Sequence, residues 1–210
     1  MNPRGPRFGC RKLHQAQLGR SRQSLIARLV AIVTAAFCFA GGGRAHASSV
    51  LAMDLTALTT VADRIVVAEV LSVTSRWETG RRRIVTSVEI NVAESWKGSV
   101  PSSRRITVLQ PGGQVGDIEM KVYGLPLFRE GERAVLFLRG GESASTVVGF
   151  SEGMRRLTPD PIGKGWSVLG ADRTAAVVRS NDGRLVPAPA EPTQGLSELR
   201  ARVRALVSAP

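Results

Sequence analysis

Two carboxylates that follow a glycine-rich run are the side chains best suited to acid–base chemistry. Asp117 and Glu119 come directly after residues 111–116, which include three glycines. Such a pair can act as the general acid and base of a hydrolase, or hold a calcium ion through oxygen ligands. Carboxylates in turns are also commonly solvated or bonded to backbone amides. The run lacks the Gly-Lys-Ser/Thr ending of phosphate-binding loops, and no calcium-loop spacing surrounds it. Two interpretations of Asp117 and Glu119 therefore stay open: a functional pair of carboxylates, or ordinary solvated turn residues.

Three consecutive arginines form the densest positive cluster outside the amino-terminal region. Arg81, Arg82 and Arg83 follow the turn residues 78–80, which places them just beyond a hairpin turn. They could contact an anionic partner such as a lipid headgroup or an acidic protein. The alternative is an ordinary solvated loop tip.

The three tryptophans are candidate contact residues. Trp77, Trp96 and Trp166 could form an exposed platform for a sugar or a peptide, because aromatic faces supply large contact areas. With so few aromatic residues in the chain, the alternative is core packing at the ends of strands. The candidate binding residues are Trp77, Arg81, Arg82, Arg83, Asp117 and Glu119.

The first 47 residues have the three parts of a cleavable signal peptide. A basic stretch is followed by 12 apolar residues, from Leu29 to Ala40, and then by Ala45-His46-Ala47. A transmembrane helix needs about 20 apolar residues, so we expect no stable membrane anchor after cleavage. We predict cleavage after Ala47, with small residues at the signature positions Ala45 and Ala47, and a protein that is exported to the periplasm or secreted.

Removal of this leader changes the chemistry of the remaining chain. The leader contains every cysteine and histidine of the sequence, namely Cys10, His14, Cys38 and His46. Without imidazole or thiolate, residues 48–210 cannot build a Ser-His-Asp triad, a thiol protease or an ordinary zinc site. None of their lysines has a serine three positions earlier, the spacing of a serine–lysine pair. We therefore predict no catalytic residue of these types, no metal and no cofactor.

The net charge is also largely a property of the leader. Eight of the 29 basic residues and none of the 17 acidic ones lie in residues 1–47, so the overall charge of +12 falls to +4 for residues 48–210. A charge of this size is ordinary for a soluble surface and gives no reason to expect nucleic-acid binding.

The elements that would position the candidates are mostly strands. Asp54 can cap a first helix, whose apolar face includes Leu51 and which ends near residues 63 and 64. A β-branched run from Ile65 to Val73 pairs as a hairpin with a second strand, in which Val88, Ile90 and Val92 alternate with polar residues. Further predicted strands cover residues 105–109, 118–122, 134–138, 146–150, 175–179 and 185–187.

The carboxyl-terminal part ends in a predicted amphipathic helix. Asn181-Asp182-Gly183 favours a tight hairpin between the last two strands. The prolines of residues 187–193 favour an extended linker, and residues 194–210 carry one apolar stripe that should dock on the sheet. We therefore predict a signal peptide (1–47), one β-rich, barrel-like domain (48–186), the linker and a docked helix. The fold class is mostly β, a small closed or partly open barrel of OB type with an amino-terminal helix and extra carboxyl-terminal strands.

Three stretches carry a resemblance to a known group of proteins. They are residues 62–70, residues 88–98 with Trp96-Lys97-Gly98, and residues 128–138 with Phe128-x-x-Gly131-Glu132-Arg133. In these stretches the chain resembles uncharacterised exported bacterial proteins whose core looks like the OB-type barrel of netrin/TIMP-like domains. The resemblance implies a closed barrel of five or six strands. It does not imply metalloprotease inhibition by the TIMP mechanism, which begins at an amino-terminal cysteine that residues 48–210 lack.

These observations favour a non-enzymatic extracytoplasmic binding protein whose partner is an unknown protein or envelope component. The missing catalytic residue types and the barrel pattern support this expectation. The alternatives are a carboxylate-dependent hydrolase that uses Asp117 and Glu119, and a protease inhibitor that inserts a barrel loop into its target.

Overall fold

The computed structural model describes residues 50–80, 82–141, 144–160, 165–173, 176–179 and 184–209 of the chain. The predicted signal peptide, with Ala45 and Ala47, lies outside the described residues, and its cleavage stays a prediction. Arg81 and the turn Asn181-Asp182-Gly183 also lie outside them.

Strands make up most of the regular structure. In chain order they are β1 (Val50–Leu51), β2 (Arg64–Trp77), β3 (Ile84–Lys97), β4 (Arg105–Pro111), β5 (Gly113–Val115), β6 (Ile118–Met120), β7 (Arg133–Gly140), β8 (Ser145–Val147), β9 (Met154–Pro159), β10 (Trp166–Val168), β11 (Ala176–Arg179), β12 (Leu185–Pro187) and β13 (Gln194–Gly195). The described helices are α1 (Leu55–Val61) and α2 (Leu196–Ser208), with one 3-10 turn at Phe150–Gly153. None of these helices is long and apolar enough to span a bilayer.

Five of the strands close into a barrel. β2 pairs with β3 on one side and with β7 on the other, and β3 also pairs with β4, all antiparallel. The ring closes through β8, which lies parallel to β4 and antiparallel to β7. The order β7-β2-β3-β4-β8-β7 is that of an OB-type barrel, so the predicted fold class is confirmed.

The barrel has one apolar core inside and a second core on its outer face. Val88, Ile90 and Val92 of β3 are buried in the interior, as their alternation with polar residues predicts. On the outer face, Leu196, Leu199 and Val203 of α2 are buried in one apolar cluster with residues of β2 and β7. The helix thus covers one face of the barrel.

Two predicted element boundaries are wrong for a local reason. Asp54 caps α1 as predicted, accepting a hydrogen bond from the Ala57 backbone N–H at 2.7 Å. Its own backbone is extended, so Leu51 cannot belong to that helix and instead lies in β1, parallel to β11. The strand expected over residues 146–150 ends at Val147, because the chain then turns through left-handed conformations into the 3-10 turn.

The residues that carry the netrin/TIMP-like resemblance join the ends of barrel strands. Asp63 accepts a hydrogen bond from the Gly140 backbone N–H at 2.8 Å, which ties the start of β2 to the end of β7. Lys97 donates to the carbonyl of Thr59 at 2.7 Å and so holds α1. Gly98 has a φ of +76°, and a Cβ there would lie 2.4 Å from the Asp63 carbonyl oxygen. This pattern therefore reflects the construction of the fold rather than a binding site.

Candidate functional site

Trp77, Arg82 and Arg83 lie where β2 connects to β3. Trp77 is half-buried and pairs with Ile84, whereas Arg82 and Arg83 are exposed. Arg83 donates hydrogen bonds to the carboxylate of Glu78, which lowers the pKa of that carboxyl. An exposed pair of this kind contributes little to stability. Arg83 thus has an acidic partner within its own turn.

Asp117 and Glu119 lie on a two-stranded ribbon formed by β5 and β6. Glu119 pairs with Gln114, Asp117 lies in the tight turn between the strands, and both carboxylates are exposed. Within the described residues, neither side chain has a hydrogen bond or an ion pair. Acid–base catalysis uses side chains that converge in a cleft, and the exposed ribbon does not provide one for this pair.

Both groups of predicted residues leave the barrel at the same end. The turn 78–83 joins β2 to β3, and the connecting segment, residues 112–132, joins β4 to β7. Because these strands are antiparallel neighbours, both connections start and finish at one end of the barrel. The Gly112 backbone N–H donates to the Ile84 carbonyl at 2.8 Å and sets the segment beside the turn. The structure thus brings the candidates to one end without joining them in a cleft.

The connecting segment also carries large apolar side chains that are left in solvent. Tyr123 and Leu127 are the most exposed large apolar residues of the described chain, at 71% and 67%. Phe150, at 42%, is adjacent because the Ser151 backbone N–H donates to the Gly124 carbonyl at 2.8 Å. We call Tyr123, Leu127 and Phe150 the apolar patch. Clustered exposed apolar side chains are typical of interaction sites.

A cavity of about 300 Å³ opens beside the apolar patch. We call it the patch pocket. Its apolar lining comes from Pro126, Leu127 and Met154, and its polar lining from Arg129, Ser151, Arg156 and Asp172. The volume is at the lower end of the range of about 300–1,000 Å³ that small-molecule sites occupy.

The two arginines of the pocket differ in how they are held. Arg156 is fixed by the carboxylate of Glu132 and by the Leu127 carbonyl, which accepts from Nη2 at 2.6 Å. Within the described residues, the guanidinium of Arg129 has no hydrogen bond or ion pair. Of the two pocket arginines, Arg156 is therefore bound to other parts of the fold, whereas the guanidinium donors of Arg129 are available to a ligand.

The backbone that carries Leu127 and Arg129 is anchored between them. Phe128 is buried in the barrel interior, so its two neighbours are directed outward. The Arg129 backbone N–H donates to Glu132 at 3.2 Å, and the Gly131 backbone N–H donates to the Val70 carbonyl at 2.8 Å. These bonds hold this part of the segment in one conformation, as a preformed binding surface requires.

Phe150 is held in an unusual backbone conformation. Its φ is +59°, and Gly149 before it has a φ of +63°. A bulky residue rarely adopts this left-handed region, and such conformations persist mainly where surrounding contacts impose them, often at functional sites. The positive φ of Gly149 favours glycine, and a Cβ there would lie 2.9 Å from the sulfur of Met53, which would have to move. The sequence thus maintains a strained position for an exposed aromatic ring.

Buried ion pairs lie directly behind the pocket. Glu152 and Arg155 are each about 1% exposed; Glu152 contacts Arg173 at 3.2 Å and Arg155 contacts Glu191 at 2.8 Å. Burial raises the pKa of Glu152 and lowers that of Arg155, against the opposing effect of their charged partners. Glu191 also accepts from the Ala171 backbone N–H at 3.1 Å, so the Pro-rich segment 187–193 is fastened to the domain.

The other two tryptophans lie in packed surroundings. Trp96 is buried in the outer core. Trp166 is half-buried, with the guanidinium of Arg133 5.1 Å above its ring. Both positions agree with the interpretation of these residues as packing side chains, and neither ring belongs to the apolar patch.

Comparison with protein-family models, with curated proteins and with solved structures finds no match to this chain. The fold and the surface together define an OB-type β-barrel with an exposed apolar patch and an arginine-lined pocket. Within the described residues, no group of three or more acidic, histidine or cysteine side chains is arranged to hold a metal ion.

Sequence analysis did not single out the residues of the apolar patch or the pocket. The available signal was the mostly apolar run from Tyr123 to Phe128, which contains a glycine and a proline and lies between two predicted strands. Apolar residues without a helix or strand period have no element to bury them, which favours exposure. Arg129, Ser151 and Arg156 come together only through the fold.

Proposed function

We propose that this chain is a non-enzymatic extracytoplasmic binding module that docks a protein partner on the apolar patch. The observation that carries the proposal is the exposure of Tyr123, Leu127 and Phe150 on a backbone that is fixed by hydrogen bonds. A module of this kind recognises its partner by shape and apolar contact, and it needs no catalytic residue. The proposed partner is another exported protein of the cell envelope.

The composition of the patch suits a protein partner. Tyrosine supplies a large, rigid contact area and a hydroxyl that remains hydrogen-bonded after burial. Tyr and Arg are enriched among the residues that dominate binding energy, and Arg129 adjoins Leu127 at the pocket rim. Leu127 and Phe150 add apolar area that is removed from water when the partner binds. The patch and the pocket therefore form one surface with an apolar centre and a polar margin.

Site-specific photo-crosslinking tests the proposal. A photoreactive phenylalanine analogue is placed at position 123 or 150 of the exported chain, and at position 185 as a control. Leu185 is an exposed apolar residue of β12, outside the patch. We expect a discrete cross-linked partner from positions 123 and 150 and none from position 185.

A second variant links the cross-link to the patch. The double substitution Tyr123→Ser and Leu127→Ser should lower capture of the same partner by at least about tenfold, which corresponds to about 1.4 kcal/mol. The matched control Leu51→Ser, an equally exposed apolar residue in β1, should leave capture unchanged. Equal capture by both variants, or equal cross-linking from position 185, would contradict the proposal.

A further inference from the structure

We propose that the patch pocket seats the carboxyl-terminal residue of the partner polypeptide. Arg129 would bind the terminal carboxylate, and Leu127 and Met154 would contact the last side chain. The preceding residues of the partner would cross Tyr123 and Phe150. This inference rests on the proposed function, since it specifies which part of the partner the surface binds.

The charges around the pocket favour a single carboxylate. Glu132 is paired with Arg156, and Asp172 also has an interaction, so neither acidic residue is without a partner. Within the described residues, Arg129 is thus the pocket charge that lacks a partner. A guanidinium binds a carboxylate through two parallel hydrogen bonds, an arrangement with both strength and directional preference.

The residues that line the pocket indicate which kind of chemical group would carry the ligand's terminal carboxylate. Pro126, Leu127 and Met154 supply the apolar lining, and the hydroxyl of the lining residue Ser151 donates to the Asp172 carbonyl at 2.8 Å. A cavity of about 300 Å³ has room for one terminal residue but not for a large cofactor. The ligand chemistry is therefore an apolar group that ends in a carboxylate, next to a surface that can bind the chain leading to it.

The position of the apolar patch favours a polypeptide over a small free acid. Leu127 belongs to both the patch and the pocket, and Phe150 precedes the pocket residue Ser151. In this proposal, the chain that precedes the residue seated at Arg129 crosses these side chains and gains further apolar contacts from them. A free small acid would use the pocket alone and gain nothing from Tyr123.

The test uses a fluorescent pool of hexapeptides with Leu, Phe or Val as the last residue. One pool has free carboxyl termini, and a second pool with the same sequences is amidated. N-acetyl-leucine is the small-acid competitor. Binding of each pool to the chain from Ser48 to Pro210 is measured by fluorescence anisotropy, after its fold has been checked against the processed exported protein by circular dichroism.

We expect the free-carboxylate pool to bind at least tenfold more tightly than the amidated pool. Arg129→Gln should remove that difference. The matched control Arg139→Gln, an exposed arginine at the opposite end of β7, should retain it. Tyr123→Ser should weaken the peptides while leaving N-acetyl-leucine unaffected.

Four results would overturn the inference. Equal binding of the two pools, or of Arg129→Gln and the unchanged chain, would show that no terminal carboxylate is recognised. N-acetyl-leucine binding as tightly as the peptides would identify a free small acid as the ligand. If neither pool binds while the cross-links from positions 123 and 150 persist, the carboxyl-terminal inference fails and the proposed interaction function does not.

Discussion

Arg64 is a charged residue whose neighbours in the fold determine its role. It is almost fully buried at the end of the barrel opposite the apolar patch, and its guanidinium donates to three carbonyls: Ser99 at 2.8 Å, Gly140 at 3.0 Å and Gly141 at 2.9 Å. These carbonyls belong to two different loops, so one side chain closes the end of the barrel. From the sequence alone, Arg64 resembled any basic residue at the start of a strand.

Arg64→Ala is expected to lower the free energy of unfolding by about 3 kcal/mol, because the hydrogen bonds from a charged, almost fully buried donor to three carbonyls are lost. Urea denaturation of the chain from Ser48 measures the change. Arg139→Ala, which removes an exposed guanidinium from β7, should stay within about 0.5 kcal/mol of the unchanged chain. Similar losses in the two variants would contradict the structural role of Arg64.

The long strands were predictable as elements, whereas the strands behind the pocket were not. β3 shows the alternation of Val88, Ile90 and Val92 directly in its sequence, because each apolar residue faces the interior. The burial of β9 is not evident from its sequence, because the strand contains the charged residue Arg155. This charge is tolerated in the interior only because Glu191 contacts it from a remote segment. A pattern based on hydropathy cannot include a partner that only the fold supplies. For the same reason the sequence indicated Asp117 and Glu119 but not Arg129 and Ser151.

The buried ion pairs fasten β9 and the 3-10 turn to the Pro-rich segment, and they make stability depend on pH. Burial raises the pKa of Glu152 above its ordinary value of 4.5. Its contribution is therefore fully present below that ordinary value and is lost as the pH rises through the raised, folded-state pKa. Ionised Glu152 is thus the less favourable form inside the fold, despite its contact with Arg173.

Glu152→Gln should separate this contribution from that of all other groups. The variant and the unchanged chain should have similar unfolding free energies well below pH 4.5, where Glu152 is protonated in both states. Towards about pH 8 the unchanged chain should become the less stable of the two, by at most about 1.4 kcal/mol per pH unit. Urea denaturation across this range measures the difference, with Glu89→Gln, from an exposed ion pair, as control. A difference that is constant, or that changes in the opposite direction, would contradict the assignment.

At the scale of the whole molecule, the barrel and its outer layer contain most of the residues that the structure describes, and residues 1–47 are predicted to be an export signal. Within this part of the chain the buried apolar residues divide between the barrel interior and the face covered by α2. The connecting segment, residues 112–132, extends away from the closed barrel between β4 and β7. The proposed binding surface therefore combines the segment between β4 and β7 with Phe150 of the 3-10 turn, on the support of the barrel.

We predict that the exported protein begins at Ser48. The double substitution Ala45→Leu and Ala47→Leu should block cleavage, because the processing site requires small residues, while Ala36→Leu in the apolar run should be processed normally. Amino-terminal sequencing and intact mass measure both outcomes. Retention of His46 in the unchanged exported protein would contradict the prediction. It would also return an imidazole to a chain that otherwise has none after Ala47, and the argument against histidine-dependent catalysis would then no longer follow from composition.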